Sequence, residues 1–273
     1  MSKQRTLTSL VLAPIAIAAV LLLPTPWLAA FIALVCLLGL WEWARLVGID
    51  GAVPRSVYVA ANLALMAALA WGGWPVLFKV VALIGSLWWL LALLWLARPD
   101  LGRTENGLNR SLKLALGTVA MLPAWCGLVL LHADGKPLGP RWALLAIVIV
   151  WAADSCAYFF GQRFGKRKLI PQISPGKTWV GLWGGVICAM VVTLACAPLV
   201  GVGIAQLPLL GLLGLLGVIA SVIGDLLESL MKRHAGMKDS GTLIPGHGGV
   251  LDRIDGLMAA LPVMAIGKEW LGL

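Results

Sequence analysis

The chain has 273 residues, of which 60% are apolar and only 12% charged, with a net charge of +9 and a mean hydropathy of +0.95. So much apolar surface excludes a soluble globular protein of this length and implies an all-α, polytopic membrane bundle. The cations are dispersed over short loops, which excludes nucleic acid as a partner.

Eight to nine spans can be marked, at 7–23, 27–47, 57–73, 76–97, 114–131, 142–160, 179–200, 207–224 and 256–272. Lys268 and Glu269 shorten the last run, leaving open whether it crosses fully. The first run follows Lys3 and Arg5 as a signal peptide would, but a second run follows at once with no small-residue cleavage site, so it reads as uncleaved. With the N-terminus in the cytoplasm, 17 of the 21 Lys and Arg residues fall on the inner side. Only Lys79, Lys136, Arg141 and Lys268 lie on or near outer segments, as the positive-inside rule requires.

The first half is chemically quiet. Residues 24–26 and 72–75 read as short outer turns, and 98–113 as an inner loop. Glu42, between Trp41 and Trp43, reads as a partner for Arg45. Trp27, Trp41, Trp43, Trp71, Trp74, Trp142 and Trp179 lie near span ends, as interfacial anchors would. The five cysteines all fall in apolar runs without a CxxC pair and read as small core residues.

Chemistry begins in the sixth span, where Asp154 interrupts an apolar run; an intramembrane acid is an ion ligand or a buried partner of a cation. The inner loop after it ends in SPGKT at 174–178. Gly176-Lys177-Thr178 resembles the end of a P-loop, but position 171, where the motif needs glycine, is proline. What survives is simpler: Ser174, Lys177 and Thr178 precede a helix start, where free N–H groups and the dipole favour an anion. Positive-inside charge with an N-cap is the plainer alternative.

Residues 225–255 concentrate five carboxylates (Asp225, Glu228, Asp239, Asp252, Asp255), four cations (Lys232, Arg233, Lys238, Arg253) and two histidines (His234, His247). Glycines at 236, 241, 246, 248 and 249 permit tight bends or close backbone approach to a ligand. Ser221, Asp225, Glu228 and Lys232 are spaced +4, +3 and +4, placing them on one helix face at the end of an apolar run. A charged loop joining two helices is the bland reading. Carboxylates emerging at a membrane boundary, costly unless paired or metal-bound, argue for function.

The motifs SLMKR at 229–233, KDSG at 238–241, PGHGG at 245–249 and LDRID at 251–255 resemble the signature of the phosphatidate cytidylyltransferases. Asp154, Tyr158, Gly161 and SPGKT at 174–178 are similar to other fixed regions of that family; Val180, polar in many members, receives no role. The resemblance covers roughly 150–256. It implies the reaction of CTP with phosphatidic acid to give CDP-diacylglycerol and pyrophosphate, at the cytoplasmic face of a bacterial inner membrane. It further implies N-terminal helices over 1–113 and a catalytic membrane domain over 114–273, with active-site loops at 161–178 and 225–255.

The lipid phosphate is its own nucleophile, so the chemistry needs charge neutralisation and in-line placement more than a strong base. The expected ligands of two Mg²⁺ ions, with Mn²⁺ an alternative, are Asp225, Asp252 and Asp255, with Asp154 in support. Lys177, Ser174 and Thr178 would hold the CTP phosphates, helped by Lys232, Arg233 and Lys238. Gly248 and Gly249 would admit backbone to phosphate, Arg253 would meet the lipid phosphate or pyrophosphate, and His247 would orient a phosphate. Asp239 would join the site or brace Lys238 or Arg233, and His234 reads as structural. Membrane lipids and a second copy of the chain, as a homodimer, complete the expected partners. An ion-coupled transporter using Asp154 and Asp225 is the alternative; it requires inverted repeats or paired broken helices, which the sequence does not display. A CDP-alcohol phosphotransferase fits less well, since Asp255-Gly256 is the only local echo of its aspartate-rich signature.

Overall fold

A computed structural model describes residues 3–72, 74–135, 137–244, 246 and 248–273. Nine α-helices run through the described residues: α1 Lys3–Leu22, α2 Thr25–Leu46, α3 Ala52–Gly72, α4 Val76–Leu96, α5 Gly107–Ala133, α6 Leu138–Phe164, α7 Trp179–Ala195, α8 Leu207–His234 and α9 Leu251–Trp270. Each falls on one of the nine apolar runs. Six are long and apolar enough to cross a membrane, and α7 and the Leu10–Leu22 part of α1 are shorter apolar helices. The protein is a polytopic integral membrane bundle. α9 carries five charged residues, but it packs along α8 and α5 and buries Met258 through Leu261, Met264 and Ile266.

Lipid tails are as apolar as leucine, so contact between helices depends on close packing more than on escape from water. Small residues make that contact here. A Cβ at Gly181 would lie 2.7 Å from the Ala157 carbonyl oxygen, and one at Gly185 2.7 Å from that of Ala153, so α6 and α7 meet backbone to backbone. On α5, Gly127 meets the Leu261 carbonyl of α9 in the same way, at 2.6 Å. One apolar core joins α2, α4, α5, α8 and α9, and a second lies among α5, α6, α8 and α9. The division expected at residue 113 falls inside α5, a single unbroken helix.

Three local features depart from the sequence reading. Lys168–Ile170 and Ser174–Thr178 form an antiparallel hairpin (β1, β2), so the bundle is not purely helical and a strand leads directly into α7. Its turn residue Ile173 is buried, which anchors the hairpin to the bundle. Trp43 and Trp142 are core residues, not interfacial anchors, at 1% and 2% exposure. Gly117 leaves the space that the Trp43 ring fills, and Trp43 Nε1 donates to the Lys113 carbonyl at 2.7 Å. Cys156 and Cys188 are joined as a disulfide across the α6–α7 seam, where glycine packing brings their Cα atoms to 6.4 Å; Cys36 and Cys126 remain buried thiols.

Candidate active site

The organising element is the last half of α8, whose charged stripe lies between α7 and its preceding hairpin on one side and α9 on the other. A helix advances 100° per residue, so +4, +3, +4 spacing keeps the stripe on one face while fanning it by some tens of degrees. That fan divides the charges into two groups.

The first group faces the hairpin. Lys177 Nζ, at the end of β2, lies 2.5 Å from Asp225 Oδ2. Ser229 Oγ donates to Asp225 Oδ1 at 3.3 Å. Asp154 from α6 and Asp255 from α9 lie within electrostatic reach of Asp225 and Lys177, and Arg253 acts on Asp154 from the α9 side. Asp255 Oδ1 accepts the Gly256 amide at 2.8 Å. Asp225 thus pairs with Lys177, while Asp154 and Asp255 bear on that pair through space. Asp225 and Lys177 keep 26% and 25% of their side chains exposed.

The second group is closed. Lys232 Nζ bridges Glu228 at 2.5 Å and Asp252 Oδ1 at 2.7 Å, and the two carboxylate side chains are 0% and 6% exposed. Asp252 Oδ2 accepts three hydrogen bonds, from the Gly249 amide at 2.8 Å and from the Ser240 amide and hydroxyl at 2.9 Å each. Burial works against the Asp252 carboxylate, which precedes the apolar part of α9, yet the donated hydrogen bonds hold it below the ordinary carboxylate range.

Glu42 completes this group from the opposite end of the sequence. Val250, the N-cap residue of α9, supplies no side-chain cap. Instead Glu42 Oε2 accepts the Leu251 amide at 2.8 Å and the Ser240 hydroxyl at 3.0 Å, satisfying an otherwise orphaned helix donor. The pairing expected with Arg45 is not made: Glu42 is buried at 3% exposure, whereas Arg45 faces outward. Two loop glycines are required by this carboxylate, because a Cβ at Gly241 or Gly249 would overlap it. Gly248, at φ +86°, turns the loop so that its amide neighbour Gly249 reaches Asp252.

The other expected residues are placed as follows. Thr178 is buried and caps α7, its hydroxyl accepting the Gly181 amide at 3.1 Å. Ser174 is half-buried at the start of β2. Arg233 donates from Nε to the Ile173 carbonyl at 3.1 Å, tying α8 to the hairpin. Lys238, Asp239 and Arg253 are exposed, and among the described residues Asp239 forms no ion pair with Lys238 or Arg233. The ring nitrogen Nε2 of His234 donates to the Pro99 carbonyl at 2.7 Å, as a structural residue would. His247 lies outside the described residues. Among the described residues no three His, Cys, Asp or Glu side chains stand together as a ready metal-ligand set.

Comparison with known proteins places the whole chain. The sequence profile of the cytidylyltransferase family matches residues 3–269. A phosphatidate cytidylyltransferase of Pseudomonas aeruginosa is 47% identical over 266 residues, covering 97% of this chain and 96% of its own length. One from Haemophilus influenzae is 37% identical over 280 residues, covering 96% of each chain. A Staphylococcus epidermidis protein of the same name is 45% identical over 128 residues, 47% of this chain and 49% of its own.

Proposed function

The chain belongs to the cytidylyltransferase family, and from that membership we propose that it is a phosphatidate cytidylyltransferase, converting CTP and phosphatidic acid to CDP-diacylglycerol and pyrophosphate. The phosphate oxygen of phosphatidic acid attacks the α-phosphorus of CTP. The bond from that phosphorus to the bridging α–β oxygen breaks, and pyrophosphate leaves with its electron pair. The nucleophile is largely ionised near neutral pH, since the second phosphate pKa is about 6.

The observation that carries the reading is the group around Lys177. Asp225 pairs with Lys177, and Asp154 and Asp255 act on the pair through space, leaving an excess of negative charge near a lysine suited to phosphate. Such an excess fits divalent cations. Asp225 and Asp255 would hold Mg²⁺, with Asp154 and the Oδ1 edge of Asp252 in support; carboxylates admit Mn²⁺ equally. Bound there, the ions would supply charge neutralisation for the two polyanions and for the leaving pyrophosphate. Lys177 then exchanges Asp225 for a CTP phosphate, while Ser174 supplies a hydroxyl beside it. Thr178 acts at one remove, by fixing the first turn of α7. Arg253 and Lys238, both exposed at the same end of the bundle, meet phosphate from the open side. Lys232 holds Asp252 and Glu228 in place.

The cation-rich end of the bundle, where this site lies, faces the cytoplasm in a bacterial inner membrane. Membrane lipids, and a second copy of the chain in a homodimer, belong to the same proposal. The transporter alternative, built on Asp154 and Asp225, gains no support from the family match or from the relatives' names. Pyrophosphate release from the purified protein, given phosphatidic acid with each nucleoside triphosphate in turn, tests the reading. Release with CTP or dCTP alone, dependent on both lipid and Mg²⁺, is expected; no release from folded protein in lipid would overturn it.

A further inference from the structure

A cavity of about 730 Å³ opens between the last turns of α4 and the first turns of α5, on the cation-rich side and outside the catalytic groups. Its wall is mostly apolar, with Trp88, Leu91, Leu94 and Leu112, and the three leucines are 57%, 67% and 51% exposed. Two cations share that wall, Arg98 and Lys113. Lys113 is only 7% exposed, and among the described residues its ammonium makes no ion pair. The carboxylate acting on it from a distance, Glu105, is 3.5 Å from Arg110 instead. The indole N–H of Trp88 is buried without a hydrogen-bond partner among the described residues. Lys113 buries its stem and opens its ammonium onto the cleft beside Arg98 and the leucine wall, a pairing that favours an anion. A small soluble anion would satisfy the cations alone, whereas the leucine wall at the end of α4, a membrane-spanning helix, meets acyl chains. An anion carried on an acyl chain satisfies both.

We propose that this cleft holds an anionic glycerophospholipid of the surrounding membrane, its phosphate between Lys113 and Arg98 and one acyl chain along Trp88, Leu91 and Leu94. The lipid sits against the connection from α4 to α5. That connection is already tied on both sides: Trp95 Nε1 donates to the Leu101 carbonyl at 2.7 Å, and Gly102, at φ +76°, leaves no room for a side chain beside the Trp95 ring. His234, the last residue of α8, bonds to Pro99 in the same connection. A lipid in the cleft therefore steadies the segment on which the catalytic helix ends. The inference does not rest on the catalytic assignment, because its test reads binding.

The test uses the full chain in detergent, with native mass spectrometry counting phosphatidylglycerol, phosphatidylcholine or phosphatidic acid retained per chain. The expected result is one tightly held phosphatidylglycerol, with phosphatidylcholine lost. Retention falls about fivefold for each of Lys113→Gln and Arg98→Gln, from roughly 1 kcal/mol per cation near a lipid phosphate. Phosphatidylglycerol also raises the melting temperature of the unsubstituted protein more than that of either variant. Arg98 is exposed, so its variant folds whatever becomes of Lys113→Gln. Equal retention by the parent and the Arg98→Gln protein would overturn the proposal. Retention of phosphatidic acid alone would give the cleft to the substrate, and full Leu94→Cys cross-linking between chains in phosphatidylglycerol vesicles would give it to a second copy; either sinks it.

Discussion

Two sets of carboxylates lie within a few residues of one another on α8 and α9, and the fold treats them in opposite ways. Glu228, Asp252 and the distant Glu42 are sealed: their side chains are almost wholly buried, and Lys232, Ser240, Gly249 and Leu251 supply them with donors. Asp154, Asp225 and Asp255 are less sealed: Asp225 pairs with the part-exposed Lys177, Asp154 is exposed and Asp255, half-buried, bears on that pair through space. The sealed set turns Glu42 Oε2 and both Asp252 oxygens on the protein and fixes where α9 begins, while Glu42 Oε1 and Glu228 Oε1 are buried without a hydrogen bond among the described residues. The open set keeps capacity in reserve for what arrives from outside. Ligand-binding groups held in mutual repulsion are stabilised only when the ligand comes, whereas structural carboxylates are held by the protein beforehand.

Substitutions that treat the two sets alike would break this contrast. The largest effect is expected at Asp252, the sealed carboxylate with the most donors. Asp252→Ala takes one of the two carboxylates from Lys232 and leaves the Ser240 and Gly249 amides without an acceptor, so about 3–5 kcal/mol of stability should be lost together with turnover. Thermal melts in detergent alongside pyrophosphate release measure both. A variant that loses turnover but melts like the parent would move Asp252 into the open set.

Asp225→Asn should do the reverse. Turnover falls by about 10²–10³, the scale on which removing one preorganised charge contact acts, while the melting temperature holds or rises because a repulsive carboxylate has gone. Mg²⁺ should raise the melting temperature of the parent protein and leave that of Asp225→Asn unmoved. A Mg²⁺ shift of equal size in both proteins would separate the metal from Asp225. The same comparison at Asp255 sharpens the boundary of the open set.

What the sequence made legible, and what it hid, follows the reach of local pattern. Apolar run length depends only on neighbouring residues, so the nine helices of the described residues coincide with apolar runs of the sequence. The α8 stripe was legible for the same reason, since helical spacing places Asp225 and Lys232 without any knowledge of the fold. Lys177 and Asp225 were both marked, but their contact joins β2 to α8 and lies beyond any periodicity. Trp43 and Trp142 resembled interfacial anchors because hydropathy locates the end of a span but not which face its aromatic rings take. The hairpin escaped because three- and five-residue strands around Pro171 carry too little alternation to stand out from a loop. Glu42 was the residue most misjudged: its partners Ser240 and Leu251 are 198 and 209 positions away. One signal was present, an acid placed within an apolar run with only one local cation in reach.

Glu42 also gives the finest test of the contrast, because it belongs to the sealed set without touching the reacting groups. Its Oε2 accepts two hydrogen bonds, from the Leu251 amide and the Ser240 hydroxyl, and Ser240 in turn bonds to Asp252. A neutral acceptor can satisfy the same two donors, so Glu42→Gln should keep the start of α9 in place and cost little in stability or rate. Glu42→Ala removes the acceptor and opens space beside Gly241 and Gly249, and should lower stability by about 1–3 kcal/mol. The kinetic signature is the sharper reading. Because Glu42 acts through the position of Asp252, the alanine variant should require more Mg²⁺ for half-maximal rate while its KM for CTP at saturating metal stays near that of the parent. Recovery of the Mg²⁺ requirement in Glu42→Gln would assign Glu42 the position of the loop. If glutamine fails where glutamate works, the charge itself is required, and Glu42 moves from the sealed set to the open one.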